Sequence, residues 1–285
     1  LITAAIVNTI LDLLFVAGFD WGVGGAGAAT VIAQGFSAFL GLRHLMRSDG
    51  PHRLIPRQIR MDLPLLREIL RMGIPSGLQT SIISLANTVM QSYINTFGED
   101  AMAGCGSYMK LEGFAFLPVT TFALAMTTFI SQNLGAKQYD RARQGARFGM
   151  CASTILSEVI GVGIYLLAPF LISLFNDDPA VLAFGVAHAR TIAPFYFLLA
   201  SSHSLSGTMR GAGLAVVPMS VMVICWCFIR VSYVTIILRY INDIRCIFWG
   251  YPLTWVLSSV ILLIYFLKAD WMHHFDRVAK KNAQQ

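Results

Sequence analysis

Residues 8–34 read NTILDLLFVAGFDWGVGGAGAATVIAQ, and within them Gly22, Gly24 and Gly27 fall in the G-x-G-x-x-G spacing that seats a dinucleotide pyrophosphate. A nucleotide loop needs a short buried strand before it, a soluble helix after it and an acid near the end of the next strand. Here a long, largely apolar run precedes the glycines, and Asp49 lies in an arginine-rich connection. The stretch therefore reads as the outer turn of a hairpin of membrane helices. Gly18 with Gly22, Gly22 with Ala26 and Gly24 with Ala28 are small-xxx-small pairs, which let two helix backbones approach closely.

The rest of the 285-residue chain points the same way. It is 56% hydrophobic and 13% charged, where a soluble domain carries about 25% charged residues, and its mean hydropathy is +0.64. Crossing a hydrocarbon core takes roughly 20 apolar residues, and runs near that length recur at 1–17, 22–42, 73–97, 101–131, 149–175, 179–207, 213–238 and 246–267. Backbone groups cannot stay unpaired in lipid, and the ten-residue alternation of a barrel is lacking, so the expectation is all-α. That gives a polytopic membrane helical bundle of eight transmembrane helices. The third and fourth runs exceed what a bilayer needs and are expected to tilt or kink, with Pro75 and Pro118 as kink points.

The net charge of +6 could suggest nucleic acid, but its placement does not. The connection after the second run carries Arg43, Arg47, Arg53, Arg57, Arg60, Arg67 and Arg71. The connection after the fourth carries Lys137, Arg141, Arg143 and Arg147; Arg210 follows the sixth, and Lys268, Arg277, Lys280 and Lys281 end the chain. The alternate connections hold Arg239 and Arg245 beside Asp20, Glu99, Asp100, Asp177 and Asp178. By the positive-inside rule the basic loops and the C-terminus are cytoplasmic, in an inner (plasma) membrane, and no nucleic-acid partner is expected.

The first apolar run begins at once, with no positive n-region and no cleavage site, which does not suit a signal peptide. The chain instead reads as starting inside a membrane helix of something longer. Cys105, Cys151, Cys225, Cys227 and Cys246 lie in or beside apolar runs with no C-x-x-C pair, and read as buried packing residues. His273 and His274, followed by Asp276, have poor metal spacing and read as part of a solvated end. The polar stretch from Asp49 to Arg71 contains Pro51, Pro56, Pro64 and LPLLREILR, expected as an amphipathic helix at the interface before the third run.

A charge inside a span costs about 2.5–3.5 kcal/mol on insertion scales, so Asp12, Lys110, Glu112, Glu158, Arg190 and Arg230 each need a reason. Asn8 and Asp12 are one turn apart on one helical face. Asp12 lies six residues before Gly18 and Thr30 six after Gly24, so both sit roughly 9 Å below the outer turn. A carboxylate, an amide and a hydroxyl at one depth suit Na+ or a proton; the bland alternative is a hydrogen-bonded knot that only holds helices together. Lys110 and Glu112 are two apart and do not share a face, so one is expected at a second cavity while the other snorkels. Glu158 reads as a helix contact. Arg190 and Arg230 have no partner that the sequence names.

MGIPSGLQTSIISLANTVMQSYINTFG (72–98) and AMAGCGSYMKLEGFAFLPVTTFALAMTTFISQNLGAKQYDRARQG (101–145) closely resemble the start of the second half of multidrug and toxic compound extrusion (MATE) transporters. Residues 8–34 resemble the last helix pair of their first half. The resemblance implies two six-helix lobes, of which residues 1–46 are the last two helices of the first, 47–71 the cytoplasmic linker, 72–268 the second lobe and 269–285 a cytoplasmic tail. It implies export of cationic or amphipathic small molecules in exchange for Na+ or H+ by alternating access, with no cofactor beyond the coupling ion. In the family a cation site uses an Asn and an Asp one turn apart, a Thr eighteen residues on and an Asp of the first helix. Asn8, Asp12 and Thr30 match the first three, and the fourth would fall upstream of residue 1. The chain is expected to be a monomer in contact with membrane lipid.

Three rivals are weaker. A lipid or lipid-linked saccharide flippase of the same superfamily would have an arginine-lined cavity, whereas most arginines here are in loops. A membrane-embedded enzyme would need a catalytic constellation, and His188 and His203 have no acid near them in sequence. A purely structural protein leaves the Asn8, Asp12 and Thr30 match unaccounted for. The orientation is directly testable: a fluorescent protein fused after Gln285 should fold in the cytoplasm, and alkaline phosphatase fused at Asp177 should be active outside. The reverse pattern overturns it.

Overall fold

A computed structural model describes residues 2–50 and 53–274 and shows a chain of long helices. They are α1 (Ile2–Asp12), running into a π-helical turn (Leu13–Gly18); α2 (Gly22–Arg47); α3 (Leu63–Asn95); α4 (Glu99–Gly135); and α5 (Tyr139–Ser173). Next come α6 (Pro179–Ile192), joined through a 3-10 turn (Ala193–Phe195) to α7 (Tyr196–Gly211), and α8 (Val216–Val223), joined through a second π turn (Ile224–Ile229) to α9 (Arg230–Ile237). The last is α10 (Arg245–Lys268). The chain divides into two compact units, Leu1–Leu63 and Pro64–Gln285.

Among the described residues the helices form eight rods, and six of them, against the eight spans expected, are long and apolar enough to cross a membrane. Ile2–Gly18 is apolar but only 17 residues long, or about 26 Å at 1.5 Å per residue. The other exception, α3, is long enough, but Gln79, Thr80, Ser84, Asn87, Thr88 and Gln91 dilute its hydropathy. Several of those side chains bond within the helix: Thr80 donates to the Ser76 carbonyl and Thr88 to that of Ser84, each at 3.1 Å, and Gln91 donates to the Asn95 side-chain oxygen at 2.9 Å. The expected interfacial helix at 63–71 is not separate; those residues form the first turns of α3, which continues past Pro75.

In the first unit α1 and α2 pack together. Asp20 and Gly22 take positive φ, 54° at both, to turn the chain, and Phe15, Phe19 and Trp21 stack over the turn with centroids 5.1–6.2 Å apart. The buried stripe of α2 is Gly25, Ala29 and Ala33. The small-residue pairs read from the sequence are therefore out of register, for Gly22 and Gly24 face open space, while a Cβ at Gly25 would press on Phe15 and Trp21.

In the second unit α4 is the central post, packed against α5, α6 and α7, with α10 closing on α6, α7 and α9. Backbones touch at small residues, and a Cβ on Gly207 of α7 would collide with the Ala123 carbonyl of α4. That closeness lets the Thr127 hydroxyl reach the Gly207 carbonyl at 3.0 Å. At one end of α3, Met90 and Ile94 pack with Cys105, Val234 and Phe248. Elsewhere its polar residues Gln79, Thr80, Ser84 and Asn87 line a cavity in the bundle.

Two smaller expectations also change. Cys105 and Cys225 are buried as expected, but Cys151 is exposed on the outside of α5. The chain past α10 does not go straight into solvent: Trp271 is buried in a cluster with Ile130, Ala142 and Phe266, and His273 pairs with Asp270 at 2.7 Å. The rest of the expected tail, with Arg277, Lys280 and Lys281, lies outside the described residues. The α4–α7 crossing yields a prediction. Gly207→Val should lower stability by about 1–3 kcal/mol through overpacking, seen as a lower melting temperature in detergent, while Gly163→Val, where a side chain meets open space, should change it little.

Candidate functional site

Two polar constellations lie at helix mid-length. In the first unit Asn8 and Asp12 are half-buried on one face of α1, and Asp12 is the last residue before the π turn. A π turn adds a residue to the ring of backbone bonds and re-aims the side chains beside it, which is why such turns recur at functional sites. The Nδ2 of Asn8 and the Oδ1 of Asp12 are buried atoms without hydrogen-bond partners among the described residues. A buried polar atom left unbonded costs free energy, so the pair suits an ion, a proton or water. Thr30 sits one residue round from the buried Ala29, is exposed, and donates to the Ala26 carbonyl at 3.0 Å. Within this unit its hydroxyl bonds neither Asn8 nor Asp12.

The second constellation lines the cavity of the second unit, of about 430 Å³, within the range of small-molecule sites. Its floor is aromatic, from Phe116, Trp226, Tyr251 and Trp255; its polar wall is α3; and its charged groups are Glu112, Arg210 and Arg230. Arg230 follows the second π turn and is only 1% exposed. Its Nε and Nη2 donate to the Thr254 hydroxyl at 3.1 and 2.9 Å, and its guanidinium lies 4.3 Å from the Tyr251 ring centroid and 5.3 Å from that of Trp226. Trp226 is fixed in turn by donating to Ser258 at 3.0 Å. Glu112 accepts from the Tyr108 hydroxyl at 3.4 Å, and Tyr108 is paired with Tyr196 at 2.8 Å. Gln79 Oε1 and His203 Nε2, both on cavity-lining residues, lack partners among the described residues.

Of the two residues expected at a second-lobe cavity, Glu112 lines it and Lys110 does not. Lys110 is exposed, with its ammonium 5.6 Å from the centroid of Phe175. Sequence spacing left open which of the two turns inward, and packing decides. Glu158 accepts the Phe197 amide at 3.1 Å, satisfying a donor at the α6–α7 break. Arg190 is exposed and lies over Tyr165, at 5.7 Å. His188 is stacked on Phe248 with centroids 4.0 Å apart and has no hydrogen-bond partner among the described residues. No cluster of three or more His, Cys, Asp or Glu side chains suited to a metal occurs among the described residues. Arg210 and Arg230 are what the sequence reading missed as a pair. It set aside an arginine-lined cavity because most arginines fall in loops, and that ground does not hold. The α3 stripe was detectable as polar residues at 79, 80, 84 and 87, at helical spacing within an otherwise apolar run.

A multi-pass bundle around a polar and aromatic cavity at membrane depth is the architecture of a membrane transporter rather than an enzyme. The sequence matches the family model described as MatE over residues 75–236, more than half its length, and the chain belongs to this family. It is 28% identical over 271 residues to the probable multidrug resistance protein YpnP of Bacillus subtilis, covering 94% of this chain and 60% of that protein. It is 23% identical over 270 residues to the probable multidrug resistance protein NorM of Thermotoga maritima, with 93% and 58% covered. The fold matches that of a MOP superfamily transporter from Pyrococcus furiosus, described as having a binding pocket of reverse polarity, with a TM-score of 0.85 at 20% identity, covering 92% of this chain and 60% of that one. The chain thus spans about 60% of the length of the relatives it matches.

The cavity reading predicts a labelling pattern. With the five native cysteines replaced by alanine, single cysteines at Thr80, Ser84 and Asn87 should react with a membrane-impermeant thiol reagent, and one at Leu85, on the exposed side of α3, should not. Equal labelling at Leu85 would argue against a water-filled cavity.

Proposed function

We propose that the protein from which this chain comes is a secondary active antiporter that exports cationic or amphipathic small molecules against Na+ or H+ by alternating access. The observation that carries this reading is the Asn8–Asp12 pair, two buried and unbonded polar atoms one turn apart beside a π turn. Thr30, eighteen residues after Asp12, would complete the set in a conformation that turns its hydroxyl inward. Each charge crossing 100 mV supplies about 2.3 kcal/mol, which drives export only where the cation and the cargo favour different states. The proposal places the basic loops and the C-terminus in the cytoplasm and treats the protein as a monomer in the plasma membrane.

A second reading, a flippase for anionic lipids or lipid-linked saccharides, is favoured by Arg210 and Arg230 in the cavity. The two separate in proteoliposomes of the full-length protein. Efflux of an amphipathic dye should follow an imposed Na+ or H+ gradient and be abolished by Asp12→Asn, with no scrambling of fluorescent phosphatidylglycerol. Undiminished gradient-driven efflux in Asp12→Asn would overturn the coupling assignment, and scrambling without dye efflux would favour the flippase.

A further inference from the structure

The second-unit cavity differs in charge from what cationic cargo requires. Among its lining side chains two guanidiniums face one carboxylate, which leaves it net positive with histidine neutral. The more buried of the two, Arg230, forms no ion pair with a carboxylate among the described residues, although it is 1% exposed. Its bonded partner is the neutral Thr254 hydroxyl, reached by Nε and by one N–H of Nη2, so the end formed by Nη1 and the second N–H of Nη2 is left over. Charges buried at membrane depth are paired or serve a pathway or a ligand. The guanidinium lies 4.3 Å from the Tyr251 ring centroid, and its two bonds to Thr254 limit its rotation. Such a fork presents paired N–H groups that match the planar geometry of a carboxylate better than a lysine would.

We propose that Arg230 is the anion subsite of this cavity and that the ligand it selects is an aromatic carboxylate. The aromatic half of that ligand has its surface ready: Phe116, Trp226 and Trp255 line the same cavity as the guanidinium. Polar contacts are available at Gln79 Oε1 and His203 Nε2, neither of which has a partner among the described residues. Arg210 adds a second positive charge to the same cavity. Glu112, secured by Tyr108, is the group an amino substituent on the ligand would meet. A purely cationic compound would add a third positive charge against one carboxylate. The aromatic lining and a volume of about 430 Å³ favour a ring-bearing small molecule over a two-chain lipid, whose headgroup would supply the same anionic chemistry.

The proposal rests on the transporter reading but not on the coupling ion, because binding is measured at equilibrium with no gradient. A failure at Asp12 would leave it untouched. The probes are 2-naphthoate and 2-naphthyltrimethylammonium, which share a ring system and differ in charge, bound by equilibrium dialysis to the chain in phosphatidylcholine nanodiscs. The expected result is naphthoate binding at least tenfold tighter than the cation, with the preference lost in Arg230→Gln and weakened in Arg230→Lys. Equal or tighter binding of the cation by the unsubstituted chain overturns the proposal without recourse to any variant. A preference that survives in folded Arg230→Gln overturns the assignment to Arg230. If Arg230→Gln does not fold, an undiminished preference in Arg230→Lys does the same. Displacement of naphthoate when phosphatidylglycerol replaces phosphatidylcholine overturns the small-molecule commitment in favour of a lipid headgroup.

Discussion

Inside a hydrocarbon layer a polar group has only the protein to bond with, and almost every structural choice in this chain follows from that. The backbone meets it by forming long helices. The hydroxyls of α3 meet it by donating to carbonyls one turn back, as Thr80, Thr88 and Ser92 do. Where a helix breaks, at Ala193–Phe195, a side chain from another helix takes over: Glu158 accepts the amide of Phe197. Some groups without these devices, such as His188 and Ser153, are buried in packing, but one that lines a cavity or stands beside a π turn marks a place that suits an ion, water or a ligand. The atoms left over at Asn8, Asp12, Gln79 and His203 are of that kind.

The two constellations share a structural device and differ in chemistry. Asp12 precedes one π turn and Arg230 follows the other, so in each unit an ionisable residue is placed by a local change in helical pitch. An α-helix of regular pitch would carry these residues on faces set by the rest of the span. One extra residue per turn frees the charged position from that register. If the two units belong to two lobes, as the resemblance to two-lobe transporters implies, the two helix pairs are counterparts, yet one presents a carboxylate and the other a guanidinium. A division of labour follows under the proposed function, with cation coupling on the first unit and recognition of the cargo's charge on the second.

The α4–α7 crossing shows how tightly the second unit is tied around its cavity. Gly207 brings the two backbones close enough for the Thr127 hydroxyl to bond across, and the aromatic rings of the adjoining core complete the wall. α3 packs through Met90 and Ile94 at one end and touches the core again at Ile83 and, through Gln79, at Met222, while its polar side lines the cavity. Its low hydropathy, which sets it apart from six of its fellow rods, goes with the polar residues it turns to the cavity.

The sequence by itself determined the membrane class, the helical rods and the family, because hydropathy over roughly 20 residues and the GIPSG and SQNLGAK motifs are local properties that packing does not alter. It also placed Asn8 and Asp12 on one face, since a four-residue spacing fixes that on any helix. Only the tertiary structure decided that the packed stripe of α2 is Gly25, Ala29 and Ala33, because a positive φ at Gly22 sets the phase in which the helix begins. It also decided that Glu112 turns inward and Lys110 outward. Arg230 gave no sign in the sequence of where it sits, since its surroundings are Thr254, Tyr251 and Trp226, two of them more than twenty residues away. A residue's hydrophobic surroundings can be read along the chain, but its partners across a bundle depend on helix phase, and a single π turn is enough to change that phase.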